Sequence, residues 1–126
     1  MSKPKRKLAT ILATDCVNYS GMMENNEQET VIGIKACRNI IEDTIKEYGG
    51  RVFNTAGDSV IAEFSSPVDC VNAGIEFQKL ISDRNNNIPD NRQMEFRVGV
   101  HLDDVVIEGD DIFGGGVNIA ARLEGL

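Results

Sequence analysis

Arg51-Val-Phe-Asn-Thr-Ala-Gly-Asp-Ser-Val-Ile-Ala-Glu-Phe64 decides the reading of this chain. Val52 and Phe53 precede a Gly57-Asp58 pair; Val60, Ile61 and Phe64 follow it. Apolar residues this dense, split by Gly-Asp, predict two short strands joined by a tight turn in a covered sheet. Gly57 supplies backbone freedom, which leaves Asp58 at the hairpin tip. An acid at a turn commonly serves the turn itself. Leu8 to Thr14 is a second apolar strand, and it too ends in an acid, Asp15. Two strands that each deliver a carboxylate at one end can hold a divalent cation between them.

The rest of the chain builds outward from these strands. A basic run, Lys3, Lys5, Arg6 and Lys7, forms a solvated tail over residues 1–7, and one domain spans 8–126. After the turn Asp15–Gly21, Val31, Ile34, Ile41, Ile45 and Tyr48 recur at helical spacing, and Gly49-Gly50 ends that helix. A second helix begins with Ser66 as N-cap, Pro67 and Asp69, with Val68, Val71, Ile75 and Phe77 or Leu80 facing inward. Met94 to Leu102 alternates as a half-covered strand, with Glu95, Arg97, Gly99 and His101 on its other side. Asp103-Asp104 turns into a return strand, Val105 to Ile107. A Gly-rich loop and the start of a helix, Val117 to Leu126, complete the chain. Helices on one face of a mostly antiparallel sheet make an α+β, ferredoxin-like fold.

Composition narrows the function. A net charge of −7 argues against nonspecific nucleic-acid binding. No apolar run approaches a membrane span. Three scattered cysteines without a Cys-x-x-Cys pair suit a reduced cytoplasm, where they serve as small core residues. A single histidine, His101, excludes a His-rich metal site. Asp15 and Asp58 therefore suggest a metal–nucleotide site, because magnesium takes one or two carboxylates plus substrate phosphates. Gly114-Gly115-Gly116 before a helix can approach a phosphate closely. Asn118 and Arg122, four apart, share one helix face, either as an ordinary exposed surface or as a ribose and phosphate clamp.

These stretches together resemble a known family. Asp15 with its turn, Asn54-Thr-Ala-Gly-Asp58, and Gly109-Asp-Asp-Ile-Phe-Gly-Gly-Gly-Val-Asn-Ile-Ala-Ala-Arg-Leu-Glu124 look like the class III nucleotidyl cyclase catalytic domain, of the bacterial adenylate/guanylate cyclase type. The resemblance runs from about Leu8 to Leu126 with its motifs in order. In that family further strands follow the last helix, which implies a C-terminally truncated cyclase homology domain here. The resemblance implies that Asp15 and Asp58 bind two divalent cations, Mg2+ or Mn2+. It implies that the turn Cys16, Val17, Asn18, Tyr19 and Ser20 receives the triphosphate, and that Asp111 and the residue at Asn54 read the base. It implies that Asn118 orients the ribose and that Arg122 stabilises charge on the α-phosphate. The implied partners are a nucleoside triphosphate, a second copy in a head-to-tail homodimer with shared sites, and a fused regulatory domain outside this chain.

Three positions differ from the family's usual residues. Asn54 stands where purine-reading members carry Lys. Asn18 and Asp103 stand at usual Gly positions. The implied reaction is conversion of a nucleoside triphosphate, ATP first, to the 3′,5′-cyclic monophosphate. The alternatives are a cyclase of other base preference, GTP or a pyrimidine nucleotide, and a catalytically weak nucleotide-binding or dimerisation module.

Overall fold

The computed structural model describes residues 5–108 and 111–113, and the side chains of 6–102 and 104. Within them the order is β1 (Lys5–Cys16), α1 (Tyr19–Asn25), α2 (Glu27–Glu47), β2 (Arg51–Ala56), β3 (Ser59–Phe64), α3 (Pro67–Asn85), a 3-10 turn (Asp90–Arg92), β4 (Phe96–Glu108) and β5 (Asp111–Phe113). The strands form one sheet in the order β2-β3-β1-β4-β5, and each pairing is antiparallel. The α+β reading holds.

Local chemistry sets the element ends. Asn26 Oδ1 accepts the Glu29 N–H at 3.1 Å and caps α2. Ser66 Oγ accepts the Asp69 N–H at 3.2 Å, with Pro67 at the first helical position of α3. Gly49, at φ 80°, lets the chain leave α2 in the left-handed conformation. Gly50 is required for a different reason. A Cβ there would lie 2.5 and 2.6 Å from Phe64 ring carbons and 2.8 Å from Ile45 Cγ2. Gly50→Ala is expected to cost about 1–3 kcal/mol through overpacking. A lowered urea midpoint at unchanged m-value would show it.

Leu12, Cys16, Val60, Ala62, Phe64 and Phe96 face the helices, where they pack with Ile34, Cys37, Ile41, Ile45, Cys70, Ala73, Phe77, Ile81 and Met94. The other strand positions, Ala9, Ile11 and Ala13, form a smaller cluster on the opposite face with Phe53 and Ile61. Phe53 is the extra residue of a β-bulge. Val52 pairs with Ala62, but Asn54 pairs with Ile61. The bulge therefore carries Asn54 to the face opposite the helices.

Four expectations need correction. The turn after β1 is followed at once by α1, which Tyr-Ser-Gly-Met-Met-Glu-Asn does not announce because it has no apolar period. Strand β1 begins at Lys5, inside the basic run. Because β1 is that long, β4 pairs with it from Cys16↔Phe96 to Lys5↔Ile107, straight through Asp103 and Asp104. The expected turn at those acids does not exist, and the return strand is β5. Finally, α3 buries Cys70, Ala73, Gly74, Phe77 and Ile81, whereas Val68, Val71, Ile75 and Leu80 are exposed. The face turned to the sheet mixes the small Cys70, Ala73 and Gly74 with the large Phe77 and Ile81. A Cβ on Gly74 would lie 3.9 Å from both Leu12 Cδ1 and Val98 Cγ1.

A buried acid ties three segments together on the face away from the helices. Glu63 Oε2 lies 2.6 Å from Lys7 Nζ, and Oε1 accepts from Arg51 Nε at 2.9 Å. Burial alone would raise the Glu63 pKa, but hydrogen bonds and charge from Lys7 and Arg51 outweigh it and hold the carboxyl below its ordinary value. A depressed folded-state pKa stabilises the fold above the unfolded-state value, and that stability is lost as pH falls through the folded-state value. Glu63→Gln is thus expected to destabilise by about 1–2 kcal/mol at pH 7, the lower end because both cations are partly solvated. Urea titrations at pH 7 and below pH 4 check it: the difference between variant and parent should shrink in acid.

Candidate active site

The β1–β3 register brings the two candidate metal acids to one end of the sheet. Thr14 pairs with Val60. Extending that antiparallel register by two residues sets Cys16 opposite Asp58. There the Cys16 N–H donates to Asp58 Oδ2 at 2.9 Å. The carboxylate of Asp58 is thereby held beside the residue that follows Asp15. Gly57, at φ 56°, makes the turn that allows this.

Asp15 pairs across the sheet with Arg97. Arg97 Nε donates to Asp15 Oδ1 at 2.9 Å and Nη2 to Oδ2 at 3.0 Å, a two-pronged ion pair. Asp15 keeps 18% of its side chain exposed and Arg97 39%. The strand alternation placed Arg97 away from the core but gave no sign of this pairing. The missing information was register, which two strands read separately do not contain.

Cys16 contributes its backbone rather than its thiol. Burial first, then the charges of Asp58 and Asp15 and the neighbouring Cys37, outweigh Arg97 and push its pKa up to about 12. A thiol so raised stays protonated and neither attacks nor ligates at neutral pH. All three cysteines are buried and free, as small core residues. Its N–H is engaged by Asp58, and the Val17 N–H donates to Glu95 O at 2.8 Å. In the turn expected to receive a triphosphate, the amides of Cys16 and Val17 are therefore already committed. Those of Tyr19 and Ser20 open α1, where first-turn amides have no intrahelical acceptor. Asn18 takes the left-handed conformation, φ 57° and ψ 34°, which explains how Asn serves at a position where Gly is usual. The Tyr19 ring packs against the core.

Asn54 is exposed on the same face as Asp15, two strands away, about 10 Å across the sheet. Asp111 opens β5, paired with Glu108, and its side chain lies outside the described residues. Asn118 and Arg122 lie outside them too.

Among the described residues, no group of three or more Asp, Glu, His or Cys side chains could form a closed metal cage. Two oxygen-only carboxylates at adjacent strand ends still fit a hard divalent cation, provided a ligand's phosphates complete the shell. No helix among the described residues is long and apolar enough to cross a membrane.

The adenylate and guanylate cyclase catalytic domain model matches residues 1–126. The chain belongs to that family. A Rhizobium meliloti (strain 1021) protein named "Putative adenylate cyclase 3" is 41% identical over 123 residues, which are 97% of this cyclase domain and 21% of that protein. The chain thus spans about a fifth of that curated relative. An adenylate/guanylate cyclase/hydrolase from Silicibacter pomeroyi superposes with a TM-score of 0.88 at 35% identity, covering 98% of this chain and 72% of that one. The guanylyl cyclase Cya2 superposes with a TM-score of 0.85 at 22% identity, over 98% of this chain and 72% of its own. That last likeness shows a shared fold alone.

Proposed function

We propose that this cyclase domain converts a nucleoside triphosphate, ATP first, to its 3′,5′-cyclic monophosphate and pyrophosphate. The observation that supports this reading is the Cys16 N–H bond to Asp58, which holds the second acid next to the residue that follows Asp15. Asp15 and Asp58 would hold two divalent cations, Mg2+ or Mn2+. Such cations, when bound, acidify the ribose 3′-hydroxyl and neutralise charge on the phosphates.

The 3′-oxygen attacks the α-phosphorus in line. The bond from that phosphorus to the bridging oxygen breaks, and pyrophosphate leaves with the electron pair. The hydroxyl proton passes to solvent. No covalent enzyme intermediate is needed, in keeping with a neutral Cys16. Arg122 would stabilise charge on the α-phosphate and Asn118 would orient the ribose, both by positioning rather than covalent chemistry. The turn Asn18–Ser20 would receive the triphosphate. Arg97, already paired with Asp15, would have to share that carboxylate with an incoming cation. Metal and base-reading residues would come from different copies of a head-to-tail homodimer, and a fused regulatory domain would lie outside this chain.

Asn54 supports a second reading, a different base preference. Its amide offers both a donor and an acceptor on the face that carries Asp15, where a Lys would offer donors only. The full-length protein incubated with ATP, GTP, CTP and UTP, each with Mn2+ or Mg2+, separates the two. Cyclic AMP with equimolar pyrophosphate is the expected result. Pyrophosphate without cyclic product from every nucleotide would remove both readings. Nucleotide-dependent thermal stabilisation without turnover would instead mark a binding module.

A further inference from the structure

We infer that Arg38 is a positioning residue: it fixes the Gly57–Asp58 peptide, and through it the direction of the Asp58 carboxylate. The inference rests on the reading of Asp58 as a metal ligand. Arg38 leaves α2 beside the buried Cys37 and reaches the tip of the β2–β3 hairpin, where Nη1 donates to Gly57 O at 3.1 Å. That carbonyl belongs to the same peptide plane as the Asp58 N–H, so holding it sets the backbone from which the carboxylate projects.

The remainder of the guanidinium is a poor choice for stability. Arg38 Nε is buried and has no hydrogen-bond partner among the described residues. A buried donor without an acceptor opposes folding, and such groups call for an explanation. Leu or Met would cover the same stretch of α2 with no such donor. What Arg supplies and they cannot is a rigid planar donor aimed at the turn.

The turn needs an external hold. Gly57 has no side chain, stands at φ 56°, and has the Tyr19 ring 3.9 Å from where a Cβ would be. Arg38 holds the turn from the helix layer, Tyr19 flanks it, and the Cys16 N–H grips the carboxylate at its far end. Without Arg38, the Cys16–Asp58 bond would have to orient both the turn and its own acceptor. Displacements near 1 Å at a reacting centre can cost roughly 10²-fold in rate.

The test uses Arg38→Gln and Arg38→Lys in the full-length protein. Amide hydrogen exchange at Cys16 is read without ligand, and free Mn2+ is titrated by electron paramagnetic resonance. Expected for Arg38→Gln are Cys16 exchange about tenfold faster and Mn2+ binding weakened about tenfold, with kcat lowered at nearly constant KM for the nucleotide. Arg38→Lys, which can still reach the carbonyl with a flexible donor, should recover part of each. Should Gln at this position unfold the protein, Arg38→Lys alone decides by the same exchange and Mn2+ readouts. Parent-like Cys16 exchange and Mn2+ affinity in the folded variants would overturn the inference. A parent protein that binds no Mn2+ would instead sink the metal reading of Asp58, while Cys16 exchange would still report whether Arg38 holds the turn.

Discussion

Asp58→Asn is expected to lower kcat on the order of 10²–10³-fold or more while the protein stays folded. The expectation follows from what the two oxygens of Asp58 do. One accepts the Cys16 N–H at 2.9 Å. Asn retains a carbonyl oxygen of the same shape, so that bond survives as a neutral one, at a cost of about 1 kcal/mol. What disappears is the negative charge at the strand end, and with it the proposed cation ligand. The hairpin itself depends on Gly57 and on the β2–β3 ladder, neither of which changes. The measurement pairs a kcat determination with a urea melt. Wild-type turnover in a folded Asp58→Asn protein would remove Asp58 from the metal site.

The second large effect is recovery rather than loss. Mixed with an inactive Arg122→Ala protein, the inactive Asp58→Asn protein is expected to regain activity. If each site takes its metal acids from one copy and its transition-state residues from the other, a mixed dimer contains one intact site and one doubly damaged site. Random pairing makes about half of the dimers mixed, so activity should return to roughly a quarter of wild type. Dilution below the dimer dissociation constant should abolish it. No recovery at any mixing ratio would place all the working residues within one copy.

Much of the frame behind these predictions was legible in the residues. The Gly57-Asp58 turn, the Ser66-Pro67-Asp69 start of α3 and the Gly49-Gly50 stop of α2 are set by local backbone chemistry, and local chemistry is what a sequence displays directly. The inward face of α3 was misread because hydrophobicity ranks Val68, Val71 and Ile75 above Cys70, Ala73 and Gly74, whereas the helix turns to the sheet the face on which those small residues lie with Phe77 and Ile81. Asp103 and Asp104 look like a turn until the length of β1 is known, because a partner strand can carry polar residues through a ladder. At the site, Asp15 and Asp58 were visible as strand-end acids. Their anchoring by Cys16, Arg97 and Arg38 was not, since each contact spans elements whose relative placement only the folded chain fixes.

The one-residue stutter at Phe53 bears on the base-reading role proposed for Asn54. Were the strand in strict alternation, Phe53 would sit opposite Ile61 and position 54 opposite Val60, which is fully buried beneath the helices. A side chain at position 54 would then point into the packed interior. Deletion of Phe53 would by contrast leave Val52 opposite Ala62 and Asn54 opposite Ile61, so it would straighten the strand and keep Asn54 on its present face.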